Sequence, residues 1–261
     1  MIRSFLLFLF LGILINSASA QKTYFPDKKW ETKPAVELKI NQQGLDEAVF
    51  FAQKNEYSGS SDLRIAIYEG FKNEPYIDII GPTTNRGSGA GLIIKNGFIA
   101  AQWGDLHRVD MTFSVTKSYL STIFALAQEK ELINSMNDFV GAYVVDGTFD
   151  GKHNQSIQWK HLLNQSSDWS GTLFGQHDWA DRPPNTGGID DWKYRKLNKP
   201  GEIYEYNDVR VNVLAYSLLQ VWRKPLPQVL KEYIMDPINA SPSWRWHGYS
   251  NSWVTIDGLS M

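Results

Sequence analysis

Met111-Thr112-Phe113-Ser114-Val115-Thr116-Lys117 opens a segment in which Thr116, Leu120, Ile123, Phe124 and Ala127 recur at helical spacing, as far as about Glu131. The spacing predicts an amphipathic helix that begins where strand-like character ends. A serine and a lysine three positions apart at its start share one face, with Cβ atoms about 5 to 6 Å apart, close enough for direct proton transfer. A helix N-terminus also offers free N–H groups and partial positive charge, which favour an oxyanion and help a partly buried lysine stay neutral. The pattern is short, and Ser19-Ala20-Gln21-Lys22 matches it too. Its plain alternative is Ser114 as a helix N-cap with Lys117 as a solvated first-turn residue.

Upstream, Leu45, Val49 and Ala52, with Phe50 beside them, predict a first helix over residues 44–55. Residues 61–70 alternate as a strand through Leu63, Ile65 and Ile67. Two apolar runs, 91–95 and 98–103, flank Asn96-Gly97, a strong hairpin signal because both residues tolerate positive φ. Downstream, residues 157–163 read as a short helix entry, and 209–222 and 226–235 as two further helices, separated by Pro225 and stopped by Pro237. Between them, 164–200 is loop-rich, with Gly171, Gly175, Pro183-Pro184 and Gly187-Gly188. Long irregular stretches of this kind are usually functional or lid-like. No internal repeat interrupts the chain, so residues 21–261 read as one domain with two lobes.

The chain has 261 residues, 43% hydrophobic and 21% charged, an ordinary globular balance with enough length for a sizeable core. A net charge of -2 with scattered signs gives no basic stripe, so nucleic acid is not an expected partner. Met1 to Ala20 combines Arg3, an apolar run from Phe5 to Ile15 and the small residues Ala18-Ser19-Ala20, the pattern of a signal peptide. The apolar run falls short of the roughly 20 residues a spanning helix needs. The expectation is an exported protein, periplasmic or secreted, with no stable membrane anchor after cleavage. The chain has no cysteine, so neither a disulfide framework nor a lipid-bearing thiol is available. Its five histidines show no close pair at ligand spacing, and no metal or cofactor is expected.

A second motif follows at Pro200-Gly201-Glu202-Ile203-Tyr204-Glu205-Tyr206-Asn207-Asp208, just before the helix of Val211, Leu214, Ala215 and Leu218. Between the two motifs stands His161-Leu162-Leu163-Asn164-Gln165-Ser166-Ser167. In order and spacing, the three together resemble the beta-lactamase-related serine hydrolases, over roughly residues 91–257. That family includes class C beta-lactamases, D-alanyl-D-alanine carboxypeptidases, esterases and amide hydrolases that cleave aminohexanoate oligomers. The resemblance implies an α+β, penicillin-binding type of fold, with an antiparallel sheet packed on the first helix and the Ser114 helix. It also implies a helical lobe over about 118–240 and a cleft between the two. It casts Ser114 as the acylated nucleophile, Lys117 as its proton acceptor, and Tyr206 as the phenol that passes the proton to the leaving group. A small ester, amide or peptide-like substrate is the expected partner.

Two departures qualify the resemblance. Many relatives carry Tyr-x-Asn where this chain has Tyr206-Asn207-Asp208, so a carboxylate stands where an amide donor is usual. Asp208 can accept from Lys117 but cannot donate to a beta-lactam carbonyl, which argues against efficient beta-lactam turnover. Two alternatives stay open: Asn207 facing the cleft, or Asp208 acting only as an N-cap. The family's third motif, Lys or His followed by x-Gly after the tyrosine, is not found between Tyr206 and Met261. Lys95-Asn96-Gly97 and Lys199-Pro200-Gly201 match it but precede Tyr206. The expectation is therefore a partial domain lacking C-terminal strands. The rival from another class is a non-catalytic exported binding protein with the same fold. The ten tryptophans suit core or cleft lining better than a sugar platform, and His247 and Trp253 are candidates for a cleft mouth.

Overall fold

The computed structural model describes residues 24–79 and 81–248. The segment read as a signal peptide and Trp253 lie outside the described residues. The chain divides into two compact units, 1–51 with 91–102, and 52–90 with 103–261.

In the first unit, β1 (Gly91–Lys95) and β2 (Phe98–Trp103) pair as the hairpin read from Asn96-Gly97, whose φ values of 53° and 84° are those the turn demands. A further bridge joins Thr32 to Ile99 in parallel, with Lys33 N–H donating to the Ile99 carbonyl at 3.0 Å and Ile99 N–H to Glu31 at 2.9 Å. Tyr24 stacks on Phe98, ring centroids 4.2 Å apart. Helix α1 (Gln42–Lys54) buries Leu45.

The second unit opens with a correction. Residues 61–70, expected as a strand, form helix α2 (Leu63–Phe71). Asp62 caps it, its side chain accepting from the N–H groups of Arg64 at 2.9 Å and Ile65 at 3.3 Å. Three alternating apolar residues are too few to fix a period, and an Asp cap favours the helix. The fold class is α+β, with a smaller sheet than expected: the described residues hold only two two-stranded sheets.

The core of this unit is helical. A 3₁₀ turn, Phe113–Val115, leads into α3 (Thr116–Glu129), which buries Leu120, Ile123, Phe124 and Ala127, the periodic residues read from the sequence apart from Thr116. Helix α4 (Trp159–Leu163) follows, then a hairpin of β3 (Thr172–Leu173) and β4 (Gln176–His177), the exception to an all-helical region over 118–240. Helix α5 (Ile189–Lys193) lies in the loop-rich stretch. Helix α6 (Asp208–Trp222) is buried nearly all round from Val209 to Leu219, as expected of a central helix. Helix α7 (Leu226–Leu230) continues through a π turn, Lys231–Met235. Helices α3, α4, α6 and α7 pack around fully buried Ile123, Trp159, Val213, Leu218 and Val229. Docking α3 on α6 sets the start of one helix beside the start of the other.

Candidate active site

The backbone bends sharply into α3. Phe113 has φ 45°, a left-handed conformation that costs a bulky residue about 1–3 kcal/mol and persists only where its surroundings impose it. Ser114 follows within the 3₁₀ turn. Its side chain does not cap the helix: Ser114 Oγ lies 2.5 Å from Tyr206 Oη and accepts from Lys117 Nζ at 3.0 Å. A serine hydroxyl has one proton to give. With the lysine donating to one lone pair, the serine can still give its proton to Tyr206 or accept the phenol's.

Tyr206 is placed by the two motifs on either side of it. Gly201 N–H donates to the Ser166 carbonyl at 2.8 Å, Glu205 N–H to the Gln165 carbonyl at 2.9 Å, and Asn207 N–H to Gln165 Oε1 at 2.8 Å. The middle motif is thus the ledge on which the tyrosine segment rests. Gly201 needs to be glycine there: its φ is +94°, and an added Cβ would stand 3.1 Å from the buried His161 ring.

The open choice between Asn207 and Asp208 resolves by helix register. Asn207 is fully buried and caps α6, its Oδ1 accepting from Arg210 N–H at 3.0 Å while its Nδ2 donates to the Asp178 carbonyl at 2.8 Å. It does not reach Ser114. Asp208, one position on, turns toward the serine side and accepts from Lys117 Nζ at 2.7 Å.

The sequence reading did not single out Arg182. Its guanidinium donates to Asp208 Oδ2 at 2.8 Å and to both oxygens of Asp181 at 2.7 and 3.0 Å. Its own N–H donates to Glu74 Oε1 at 3.1 Å. The Tyr206 ring has both cations near it, Lys117 Nζ 4.7 Å from the ring centroid and Arg182 Cζ 4.8 Å. Arg182 has φ 50°, a second left-handed residue at this place. Its position before Pro183-Pro184 in a loop gave no pattern to find it by.

The charges adjust to one another. The hydrogen bond to Lys117, and then that to Ser114, hold the Tyr206 phenol below its ordinary pKa. Burial pulls the Lys117 ammonium downward, but its hydrogen bonds to Asp208 and Tyr206 outweigh this and leave it raised. Burial likewise opposes the Asp208 carboxylate, and hydrogen bonds from Lys117 and Arg182 leave it lowered. Burial raises both Asp181 and Glu74. A cavity of about 400 Å³ adjoins Asp208 and Asp181, with Glu74, Tyr76 and His177 also in its wall. Every residue of this cluster belongs to the second unit. His247 is exposed and forms no hydrogen bond with these residues among the described ones.

Residues 101–252 match the family model described as beta-lactamase, and the chain belongs to that family. No curated protein matches it. Among solved structures it is similar to a beta-lactamase/D-alanine carboxypeptidase from Yersinia pestis complexed with citrate, at 21% identity and TM-score 0.34, over 48% of this chain and 37% of that one. It is also similar to a D-stereospecific amidohydrolase from Streptomyces sp., at 18% identity and TM-score 0.39, over 53% and 46%. A third is a hydrolase with promiscuous acyltransferase activity, at 20% identity and TM-score 0.39, over 57% and 45%. The chain spans less than half the length of each of these structures.

Proposed function

We propose that this protein is a serine hydrolase that forms an acyl-enzyme on Ser114 with a small ester, amide or peptide-like substrate. The observation that carries this reading is the hydrogen-bonded set Ser114, Tyr206 and Lys117, drawn together from positions 92 apart in sequence. A structural serine has no need of a phenol held below its ordinary pKa with an ammonium beside it.

In the first half-reaction, Ser114 Oγ attacks the substrate carbonyl carbon while its proton passes to the Tyr206–Lys117 pair. The tetrahedral adduct then collapses, the leaving group departs with the proton returned by the pair, and the acyl group stays on Ser114 as an ester. Water then attacks the acyl carbon, giving its proton to the pair, and as the adduct collapses the pair returns that proton to Ser114 Oγ and the acid is released. One pair thus serves as base and acid in turn. Tyr206 Oη, at 2.5 Å, is the nearer acceptor, and Lys117 supplies the positive charge that makes a phenolate accessible.

Asp208 is committed to two cations and has only acceptors to offer. We therefore propose ester or amide turnover and poor beta-lactam turnover. Export is part of the same reading, supported by the Arg3, apolar and Ala18-Ser19-Ala20 pattern.

The test is intact-mass analysis after exposure to a fluorophosphonate, with peptide mapping. One adduct on Ser114, lost in Ser114→Ala along with hydrolysis of p-nitrophenyl acetate, is expected. A folded protein that takes no label, or takes it elsewhere, would sink the reading and favour the binding-protein alternative.

A further inference from the structure

The reading of Ser114, Lys117 and Tyr206 as the chemical set leaves Arg182 without a role, yet it is among the most connected side chains nearby. It is held from three directions: Asp181 takes its guanidinium at 2.7 and 3.0 Å, Glu74 takes its backbone N–H at 3.1 Å, and the Phe71 ring lies 5.2 Å from its Cζ. What it holds in turn is Asp208. The carboxylate is divided, one oxygen on Arg182 at 2.8 Å and the other on Lys117 at 2.7 Å. The Asp208 N–H also donates to Asp181, so the clamp closes through backbone as well as side chain. With both oxygens and its main chain fixed, Asp208 has one orientation.

We propose that Arg182 is a positioning residue of this site: by taking one oxygen of Asp208 and approaching the Tyr206 ring, it limits how strongly the carboxylate holds the Lys117 ammonium. It thereby sets the pH at which the Lys117–Tyr206 pair can take the Ser114 proton. The proposal rests on the serine-hydrolase reading for its consequence in rate, but not for its electrostatics.

The sign follows from the charges in contact. The groups that face Lys117 and Tyr206 are Ser114, Asp208 and Arg182, with Asp181 and Glu74 behind Arg182. An undivided Asp208 would bind the proton on Lys117 more tightly. A cation withdrawn from beside Tyr206 would make its phenolate costlier. Both effects of losing Arg182 therefore keep the proton on the pair, whereas neutralising Asp208 releases it. A residue that merely props the loop would lower the rate without moving the two variants in opposite directions.

The experiment measures kcat/KM for p-nitrophenyl acetate against pH in the wild type, Arg182→Gln, Arg182→Lys and Asp208→Asn. The Tyr206 side chain is followed in parallel by ¹³C NMR of ring-labelled protein, assigned with Tyr206→Phe. The acid limb is expected to move up by about one pH unit in Arg182→Gln, down by a similar amount in Asp208→Asn, and to stay near wild type in Arg182→Lys, which keeps the charge. If Arg182→Gln does not fold, Arg182→Met, which keeps an apolar stem over Phe71, replaces it. Limbs that stay put, or move together, overturn the proposal. Opposite NMR shifts in a protein that turns over no ester and takes no label uphold the charge coupling and overturn the hydrolase reading. Hydrolysis with unmoved titrations does the reverse.

Discussion

Tyr206 stands between the Ser114 hydroxyl and two cations, and its own hydroxyl is the part of the site that replacement removes most cleanly. Tyr206→Phe keeps the ring beside Lys117 and Arg182 but takes away the group 2.5 Å from Ser114 Oγ. The expected outcome is a fall of about 10² to 10⁴ in kcat/KM with the thermal midpoint little changed, checked by ester kinetics and calorimetry. The nearness of Ser114 and Lys117 was legible because i and i+3 on a helix is a local relation, whereas Tyr206 was singled out only through the family resemblance carried by residues 200–208. Arg182 could not be found either way. Its contact with Asp208 spans 26 positions and exists only once the loop has folded back. Nor did composition distinguish Asn207 from Asp208, since one residue of helix register decides which is cap and which is site.

At the scale of elements, the start of α6 carries two jobs in adjacent residues, and they separate by mutation. Asn207→Ala removes the acceptor for Arg210 N–H and the donor to the Asp178 carbonyl, both buried. The expected cost is about 1–2 kcal/mol of stability, read from urea unfolding, with a smaller loss in labelling of Ser114. Helices α3 and α6 were legible because their apolar periods run for three or more turns, and the five-residue α7 because Pro225 marks where it starts. Helix α2 was not, because Leu63, Ile65 and Ile67 fit either period over so short a span, and only Leu63 is buried. The Asn96-Gly97 hairpin was legible for a different reason: its turn chemistry is written in two residues.

Across the described residues, packing is joined by a buried ionic cluster. Asp168 accepts from Arg195 and, at 2.7 Å, from Arg210, while Arg210 also reaches Asp178 at 3.2 Å. Burial works against the Asp168 carboxylate, but Arg195, the Asn198 N–H and Arg210 hold it below its ordinary pKa. A depressed carboxylate contributes stability that is present above its unfolded value, about 3.9, and is lost as pH falls through the folded value. The urea midpoint is therefore expected to drop on acidification below about pH 4, and Asp168→Asn is expected to flatten that dependence while costing about 3–5 kcal/mol near neutrality. The cluster was not legible in advance, since arginines and aspartates scattered over a chain give no sign of which will meet.

The same dispersal has a consequence in time. Ser114 and Tyr206 are 92 positions apart, and Lys117 and Asp208 91. While the ribosome is still short of Asp208, the chain carries an ordinary alcohol at Ser114, no more reactive than any other serine. On the serine-hydrolase reading proposed above, a nascent chain is chemically silent at Ser114 until residue 206 has been made and α6 has docked on α3.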